Sequence, residues 1–423
     1  MSSSVVLHRE SQWRPLCCFG WHVQFRFSLL SNCFPVPTPS IHFDNAATSW
    51  PKPPEVIDAI VAYYRDCGRA AGRGGYSGAI QAESIVSRCR EQVLQLAEVD
   101  SNAAAVFAHN GTDALNMAIH GMLRPGDHVV TTALEHNSVL RPLYAARDSI
   151  GVKLDIVWPD ANGQIDPRKV GERIQSNTRL VCVNHASNVT GVAQDISAIG
   201  RMCRINESVR LLVDASQTLG KFPFVFGSAD WDLLAAAGHK GMFGPLGTGV
   251  LVLRNKAIDE IRPVRQGGTG LNSESEYQPD QLPHRLESGN LDVGGIAGLS
   301  AGLDFVRKTG VPQIHRHEIE LRNLLVQRLR AIDEARLHGV SDCSRVAICS
   351  LTFERQNVHE VAFILDSSFG IEVRAGLHCA PLANQEQETG SPRATLRISP
   401  GWYNTLEQID SLASALAEIV ESD

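Results

Sequence analysis

One stretch of the chain decides its fold: Arg210–Gly249, RLLVDASQTLGKFPFVFGSADWDLLAAAGHKGMFGPLGTG. Its apolar run Leu211–Val213 predicts a buried strand of a parallel sheet. Asp214 ends that run, and a carboxylate at the carboxyl end of such a strand points into the crevice where α/β sheets bind ligands. A second apolar stretch, Trp231–Ala237, leads to Lys240 in a glycine-rich loop that can approach a ligand closely. The pattern predicts an α/β fold with a ligand site at this edge of the sheet.

The carboxylate and the lysine of this stretch suit one cofactor chemistry. Pyridoxal 5'-phosphate attaches to a lysine amine, and it becomes an electron sink only if its ring nitrogen stays protonated, which an aspartate ensures. The alternative is a strand-end Asp and a surface Lys in an ordinary loop, and either residue alone would favour it. The strings VDASQ (213–217) and GHK (238–240), in this order, favour the cofactor interpretation.

The chain from Ile41 to its C-terminus resembles the class V, fold-type I family of pyridoxal-phosphate enzymes, and within it the cysteine desulfurases. The resemblance implies an α/β fold with a large, mostly parallel seven-stranded sheet domain and a smaller α+β C-terminal domain. It assigns residues 41–300 to the large cofactor-binding domain, with 41–60 packing on the small one, and 301–423 to the small domain that carries the catalytic cysteine loop. Residues 1–40 are expected to be a poorly ordered, non-native extension, with a poor signal peptide as the alternative.

The composition limits the classes of partner. The chain has 423 residues, a net charge of −7 and a pI near 6.1, which argues against nucleic acid as the main partner. Its ten cysteines form no CxxC pair and no zinc spacing, so we expect mostly reduced, buried cysteines in a cytoplasmic protein and no metal site. No stretch is apolar over a length that spans a bilayer, and no membrane association is expected.

The resemblance assigns cofactor contacts to the deciding stretch. It implies that Lys240 carries the cofactor and that Asp214 pairs with the ring nitrogen. It also implies that Gln217 hydrogen-bonds the ring hydroxyl and that His239 reaches the phosphate. Many relatives have Ser where this chain has Ala237, which removes one hydroxyl from the phosphate site.

A second phosphate contact is predicted earlier in the chain. The sequence AVFAHNGTDALNMAIHGML, which begins at Ala105, predicts a strand, a glycine turn and a helix. Gly111 and Thr112 fall at the helix N-terminus, where exposed amides and the helix dipole favour a phosphate. A plain helix cap at Thr112 is the compatible alternative. The resemblance makes both residues phosphate ligands.

Two more polar residues follow apolar strands. His136, in EHNSV (135–139), would by itself more often be a structural histidine, but the resemblance makes it stack on the pyridine ring and help to move protons. Asn188, in SNVTG (187–191), would by itself be a common turn residue. The resemblance makes it a contact to the cofactor hydroxyl and to the substrate carboxylate.

A cysteine motif lies near the C-terminus, in VRAGLHCAPL (373–382). A buried, inert cysteine is the usual alternative for Cys379, but the loop is polar and the nearby Arg374 favours a thiolate. The string RxGxHCA resembles the desulfurase cysteine motif, and its short spacing resembles the short-loop group of these enzymes. The resemblance makes Cys379 the nucleophile and Arg374 a residue of the substrate site.

Three further residues complete the predicted site. In the resembling family, the arginine at the position of Arg397 clamps the substrate α-carboxylate, which suits a bidentate guanidinium. Ala46, in FDNAATS (43–49), touches the substrate there, although a simple N-terminal turn explains this segment equally well. Asn290, in the long polar loop 266–295, stands where relatives reach the phosphate in the partner subunit, often with Thr. A homodimer would then complete the site.

Three functions are compatible with these residues. The first is an L-cysteine desulfurase that forms L-alanine and an enzyme persulfide, with L-selenocysteine as a second candidate substrate, a sulfur-acceptor protein as partner and iron–sulfur cluster assembly as its use. The second is another class V enzyme, an aminotransferase or a selenocysteine or β-lyase. The third is a protein that binds pyridoxal phosphate without catalysis. Lys240, Asp214 and His136 favour an enzyme, and Cys379 favours the desulfurase.

Overall fold

A computed structural model describes residues 40–72, 74–99, 102–339, 343–383, 385 and 393–421, so the expected N-terminal extension lies outside the described residues apart from Ser40. The strands in this part of the chain are β1 (Ile41–His42), β2 (Ala104–Ala108), β3 (His128–Thr132), β4 (Lys153–Val157), β5 (Thr178–Asn184), β6 (Arg210–Asp214), β7 (Leu233–Ala237), β8 (Gly249–Leu253), β9 (Ala335–His338), β10 (Cys349–Phe353), β11 (Ile371–Glu372), β12 (Arg374–Gly376) and β13 (Thr395–Ile398).

The α-helices of the described residues alternate with these strands. They are α1 (Pro54–Ala62), α2 (Ser77–Leu96), α3 (Gly111–Met122), α4 (Asn137–Ile150), α5 (Pro167–Arg173), α6 (Ile196–Cys203), α7 (Ala257–Glu260), α8 (Val293–Thr309), α9 (Val311–Leu329), α10 (Val358–Phe369) and α11 (Leu406–Glu421). A π-helical turn, Tyr63–Cys67, continues α1, and a short 3-10 turn spans Phe226–Ser228. In the part of the chain that the structure describes, no helix combines the length and the apolarity needed to cross a membrane.

The larger sheet has seven strands in the order β2-β8-β7-β6-β5-β3-β4. All neighbours are parallel except at β8, which runs antiparallel to both β7 and β2. The mostly parallel, seven-stranded α/β sheet predicted from the sequence is therefore confirmed. In its register Asn184 pairs with Asp214, and Asp214 pairs with Ala235, so polar side chains of β5 and β6 end at the same edge.

Both faces of this sheet are covered, which explains the unbroken apolar runs. Along β6, Leu211 and Val213 belong to one hydrophobic cluster and Leu212 to the other, and all three are buried. Such alternation between two cores is what a parallel sheet with helices on both sides requires. Burying each of these side chains contributes roughly 1.5–3 kcal/mol.

The second sheet is smaller, antiparallel and ordered β12-β13-β10-β9. Helices α9, α10 and α11 pack on it around buried Leu321, Leu365, Leu396 and Leu416. The strand β1 pairs in parallel with β11, so the start of the described chain joins this C-terminal part, whereas α1 packs against α8. The described chain forms one contact unit, and the boundary at residue 300 stays a prediction.

Close backbone approach explains two glycines that place the site. A Cβ on Gly249 would lie 2.3 Å from the backbone carbonyl carbon of Asn110, and a Cβ on Gly111 would lie 3.2 Å from the Cβ of Ala237. Glycine at these two positions lets the N-terminus of α3 come this near to β7 and β8. This contact brings the start of α3 to the same edge as Asp214.

Candidate active site

A cavity of about 220 Å³ opens at the carboxyl edge of the larger sheet, and side chains from both sheets line it. It brings together most of the residues predicted from the sequence, namely Ala46, Gly111, Thr112, His136, Asn188, Asp214, Gln217, His239, Lys240, Arg374 and Arg397. Two predicted residues, Cys379 and Asn290, do not line it. Side chains that are far apart in sequence thus share one pocket, as a binding site requires.

Lys240 and Asp214 form the charged centre of the cavity. The backbone N–H of Ser216 donates to Asp214 Oδ1 at 2.9 Å, which fixes the carboxylate at the end of β6. Burial lowers the pKa of Lys240 to about 8, and the carboxylate of Asp214 opposes that shift. A lowered pKa increases the fraction of neutral amine, and the neutral amine is the form that attacks a carbonyl carbon.

The N-terminus of α3 provides hydrogen-bond donors at one end of the cavity. Asn110 caps this helix, since its Oδ1 accepts the N–H of Asp113 at 2.9 Å. The first amides of a helix have no partner within it, so those of Gly111 and Thr112 are available to an anion. His239 lines the same cavity, and its buried Nδ1 has no hydrogen-bond partner among the described residues. Together these donors form an anion site.

His136 is neutral, and its hydrogen bonds fix its tautomer. Burial lowers the pKa of His136 to about 4. The backbone N–H of Ser138 donates to His136 Nδ1 at 3.0 Å, so the proton of the neutral ring lies on Nε2. The hydroxyl of Ser138 lies 2.8 Å from the same Nδ1 and 2.7 Å from Thr112 Oγ1. A short polar chain therefore connects the anion site to the histidine.

Two amide side chains place unused acceptors at the cavity. Gln217 Nε2 donates to the carbonyl of Ala46 at 2.9 Å, and Asn188 Nδ2 donates to the carbonyl of His378 at 2.7 Å. Gln217 Oε1 and Asn188 Oδ1 are buried and have no partner within the described ranges. A buried acceptor without a partner is costly, so a ligand that donates hydrogen bonds fits here.

Two arginines on neighbouring strands of the smaller sheet lie at the other end of the cavity. Arg374 and Arg397 are directly opposite in the antiparallel pair β12–β13, where like charges repel. Arg397 is 1% exposed, and its Nη1 donates to the carbonyl of Asn188 at 3.0 Å. Its Nη2 contacts Asp44 Oδ1 at 2.5 Å. Excess positive charge beside Asn188 makes this end suitable for a carboxylate.

Cys379 lies beside the cavity rather than in its wall. Its Sγ is 3.5 Å from Arg374 Nη2, and its carbonyl accepts the N–H of Asn137, next to His136, at 2.7 Å. Among the described cysteines five are buried, and only Cys343 and Cys379 are partly exposed. His378 and Cys379 both have left-handed φ angles, 51° and 59°, which non-glycine residues seldom adopt. Cys379 therefore combines an accessible thiol with a neighbouring guanidinium.

Asn290 lines a separate, smaller cavity of about 60 Å³. Its neighbour Glu287 is tied down by two contacts to Arg90, at 2.8 and 3.0 Å, and by the N–H of Phe107 at 2.6 Å. Within one chain, Asn290 does not line the cavity that contains Lys240. Its predicted contact with the partner subunit's cofactor stays a prediction.

Some lining residues escaped sequence analysis. Ser138 and Ser216 stand inside the motif strings EHNSV and VDASQ, so their positions were available although no role was assigned to them. Asn184 ends β5 as Asp214 ends β6, and this polar strand end was the signal. Asp44 is part of FDNAATS, but only the structure shows that it pairs with Arg397.

Comparison with known proteins identifies the family of the chain. The family model for class-V aminotransferases matches residues 41–412. A probable cysteine desulfurase from Methanothermobacter thermautotrophicus is 34% identical over 379 residues, covering 89% of this chain and 94% of that protein. A cysteine desulfurase from Haloferax volcanii is 29% identical over 387 residues, covering 90% and 89%.

Solved structures give the same result. The apo structure of a cysteine desulfurase from Thermococcus onnurineus has a TM-score of 0.83 at 30% identity and covers 91% of this chain and 95% of its own. The cysteine desulfurase CsdA (S-sulfonic acid) from Escherichia coli has a TM-score of 0.81 at 26% identity, covering 90% and 95%. The resemblance found in the sequence is confirmed. The chain belongs to the class-V aminotransferase family, in its cysteine desulfurase branch.

Proposed function

We propose that the protein is an L-cysteine desulfurase that uses pyridoxal 5'-phosphate and converts L-cysteine to L-alanine. The observation that carries the proposal is the position of the Cys379 thiol. It lies beside Arg374, at the edge of a cavity that contains a buried amine, Lys240, and a strand-end carboxylate, Asp214. An aminotransferase has no use for an accessible thiol at this place.

The lining residues fit pyridoxal phosphate. The amides of Gly111 and Thr112 and the ring of His239 would hold the phosphate, and Lys240 would hold the aldehyde carbon. Asp214 would keep the ring nitrogen protonated. The unpartnered Oε1 of Gln217 supports the fit, because it would accept a hydrogen bond from the ring hydroxyl. Relatives with Ser at the position of Ala237 have one more phosphate donor, and Ser216, which lines the same wall, is available instead.

The side chains of the cavity would bind L-cysteine and move its proton. Arg397 and Asn188 bind the carboxylate, which directs the Cα–H bond of the substrate toward Lys240. The amine of Lys240 takes the proton from Cα, for which its pKa near 8 is suited. When bound, the cofactor supplies a place for the electron pair that this bond leaves behind. The Nε2–H of His136, which lines the same cavity, would serve as a proton donor.

The sulfur transfer is assigned to Cys379. Its thiolate attacks the sulfur of the substrate, so that a sulfur–sulfur bond forms and the carbon–sulfur bond breaks. The substrate carbon takes up the electron pair and a proton, and the products are L-alanine and a persulfide on Cys379. Because Cys379 does not line the cavity, the loop 374–382 has to move for this step.

Assembly, location and use of the sulfur belong to the same proposal. We propose a homodimer in which Asn290 serves the partner subunit's cofactor, a cytoplasmic location, and a sulfur-acceptor protein that takes the persulfide for iron–sulfur cluster assembly. Two observations support it. Asn290 lies outside the cavity of its own chain, and the described cysteines are free thiols, which suits a reducing compartment.

The test is product analysis. Protein purified with pyridoxal phosphate is incubated with L-cysteine and a reductant, and sulfide and alanine are quantified beside the variants K240A and C379A. We expect equal amounts of sulfide and alanine from the wild type and neither product from the variants. Pyruvate and ammonia in place of alanine would indicate a β-lyase, and keto acid formed from an amino donor would indicate an aminotransferase. Either result would overturn the proposal.

A further inference from the structure

Four hydrogen-bond donors converge on one backbone carbonyl, that of His239. They are the N–H of Ser49 at 3.1 Å, Thr48 Oγ1 at 3.1 Å, Ser49 Oγ at 3.2 Å and Lys52 Nζ at 2.8 Å. A carbonyl oxygen has two lone pairs, so this acceptor is fully used, and the short, charged contact from Lys52 is the strongest of the four. The same carbonyl forms the peptide bond with the backbone nitrogen of Lys240.

The burial of the Lys52 ammonium is unfavourable in free energy. Among the described residues its ammonium contacts three neutral oxygens, those of His239, Ser49 and Thr48, and no carboxylate. Burial lowers the pKa of Lys52 to about 8. A half-buried ammonium without an ion-pair partner is unfavourable for folding, which points to a role beyond stability.

The segment that carries Lys52 is anchored to the other walls of the cavity. Asn45 Nδ2 donates to the carbonyl of Ser399 at 3.1 Å, and the N–H of Ala46 donates to Ser399 Oγ at 2.9 Å. The carbonyl of Ala46 accepts from Gln217 Nε2 at 2.9 Å. The segment 44–52 is therefore held at the end of β13 and after β6 before it reaches His239. A rigid support of this kind can fix a peptide that would otherwise flex in its glycine-rich loop.

We propose that Lys52 is a positioning residue for Lys240: by holding the His239 carbonyl, it fixes the peptide from which the Lys240 amine reaches into the cavity. The inference rests on the proposed function, because it concerns the amine that would carry the cofactor. Lys52 itself touches neither the substrate nor the reacting atoms. Its effect passes through the His239–Lys240 peptide.

The protonation of the Lys240 amine is a readout that a purely structural role for Lys52 would not move. The charged and titratable groups that face this amine are Asp214, Asp44, Arg397, Lys221 and His136. All of them stay in place when Lys52 is replaced by Met. The substitution frees the peptide, so that the amine can approach Asp214. A closer carboxylate favours the protonated form, and the pKa of the Lys240 nitrogen should rise.

The experiment follows the visible absorbance of the holoenzyme as a function of pH. The proteins are the wild type, K52M, K52R and K169M, the last an exposed lysine on α5 as the matched control. We expect the midpoint of K52M to rise by about half a pH unit or more, that of K52R to move back toward the wild type, and that of K169M to stay unchanged. The kcat of K52M should fall about tenfold with little change in KM for L-cysteine, because alignment rather than binding is lost.

Each outcome decides the inference. An unchanged midpoint in K52M overturns it, whatever the turnover or stability of that variant. If K52M does not fold, K52A takes its place, since alanine also removes the donor to the His239 carbonyl, and its midpoint must then rise. A wild-type protein that gains no visible absorbance with pyridoxal phosphate overturns the proposed function, and this inference with it. A normal wild-type titration with an unshifted variant overturns this inference alone.

Discussion

We expect substrate selection to depend on Arg397, a buried guanidinium with only part of its hydrogen-bonding capacity in use. Nη1 donates to the carbonyl of Asn188 and Nη2 to Asp44, while Nε has no partner among the described residues. A guanidinium has five N–H groups, so Arg397 can still form two charge-assisted hydrogen bonds with a carboxylate. The perturbation is R397A, tested with L-cysteine and with cysteamine, which is cysteine without its carboxylate.

The magnitude follows from those two bonds. A hydrogen bond to a charged group contributes about 1.5–3 kcal/mol. The lower value applies, because Asp44 already shares the charge of Arg397. Two bonds then give a coupling of about 3 kcal/mol between the guanidinium and the substrate carboxylate, or roughly 150-fold in kcat/KM.

The assay measures sulfide release by the wild type and by R397A with each of the two substrates. These four measurements form a thermodynamic cycle of one substitution and one change of substrate. R397A should lower kcat/KM roughly 150-fold for L-cysteine and only a few-fold for cysteamine. R397A also leaves Asp44 without its partner, so the thermal midpoint of this variant will fall. The rates are therefore measured well below the midpoint of the variant. R336A, at an exposed arginine of the same sheet, is the control and should change neither quantity. Equal losses for both substrates would refute the reasoning, because the carboxylate would then bind elsewhere.

Two further predictions concern residues around His136. Burial raises the pKa of Glu135 from 4.5 to about 8. Between these two pH values the folded protein keeps a proton that the unfolded chain has lost. The contribution of Glu135 to stability therefore falls as the pH rises through this window. E135Q keeps the acceptor for Thr132 Oγ1, and its thermal midpoint should change less between pH 5 and 8 than that of the wild type; equal slopes would contradict this. S138A removes the hydroxyl between Thr112 and His136 and should lower kcat roughly five- to tenfold, while S149A, an exposed serine on the same helix, should not. Matching losses in both serine variants would mean that the helix, not the polar chain, was disturbed.

Local patterns in the sequence were enough to predict the larger sheet and its charged centre. The apolar runs of β6 and β7 locate two buried strands, and the parallel topology puts the residues that follow them at one edge. Asp214 and Lys240 could therefore be paired before any coordinates were known. The helix start at Gly111 was available in the same way, from a glycine turn after a strand.

Contacts between distant parts of the chain could not be predicted. Asp44 and Arg397 are 353 residues apart, and neither local sequence contains a sign of the other. The same holds for Lys52 and His239, where a lysine between prolines looks like a solvated charge. The left-handed backbone at His378 and Cys379 runs against residue preference, so only the fold reveals it. The helix α1 changes at Tyr63 into a π-helical turn, which hydrophobic periodicity does not distinguish from an α-helix.

The central claim is that the sulfur atom of L-cysteine passes to Cys379. The most direct measurement is mass spectrometry of the holoenzyme after one turnover with L-cysteine in the absence of reductant, with alanine quantified in the same sample. The account predicts one added sulfur atom on the peptide that contains Cys379 for each alanine formed, and neither product in C379S, which should still bind the cofactor. Alanine and sulfide formed at the wild-type rate by C379S, or added sulfur on any other cysteine, would contradict it.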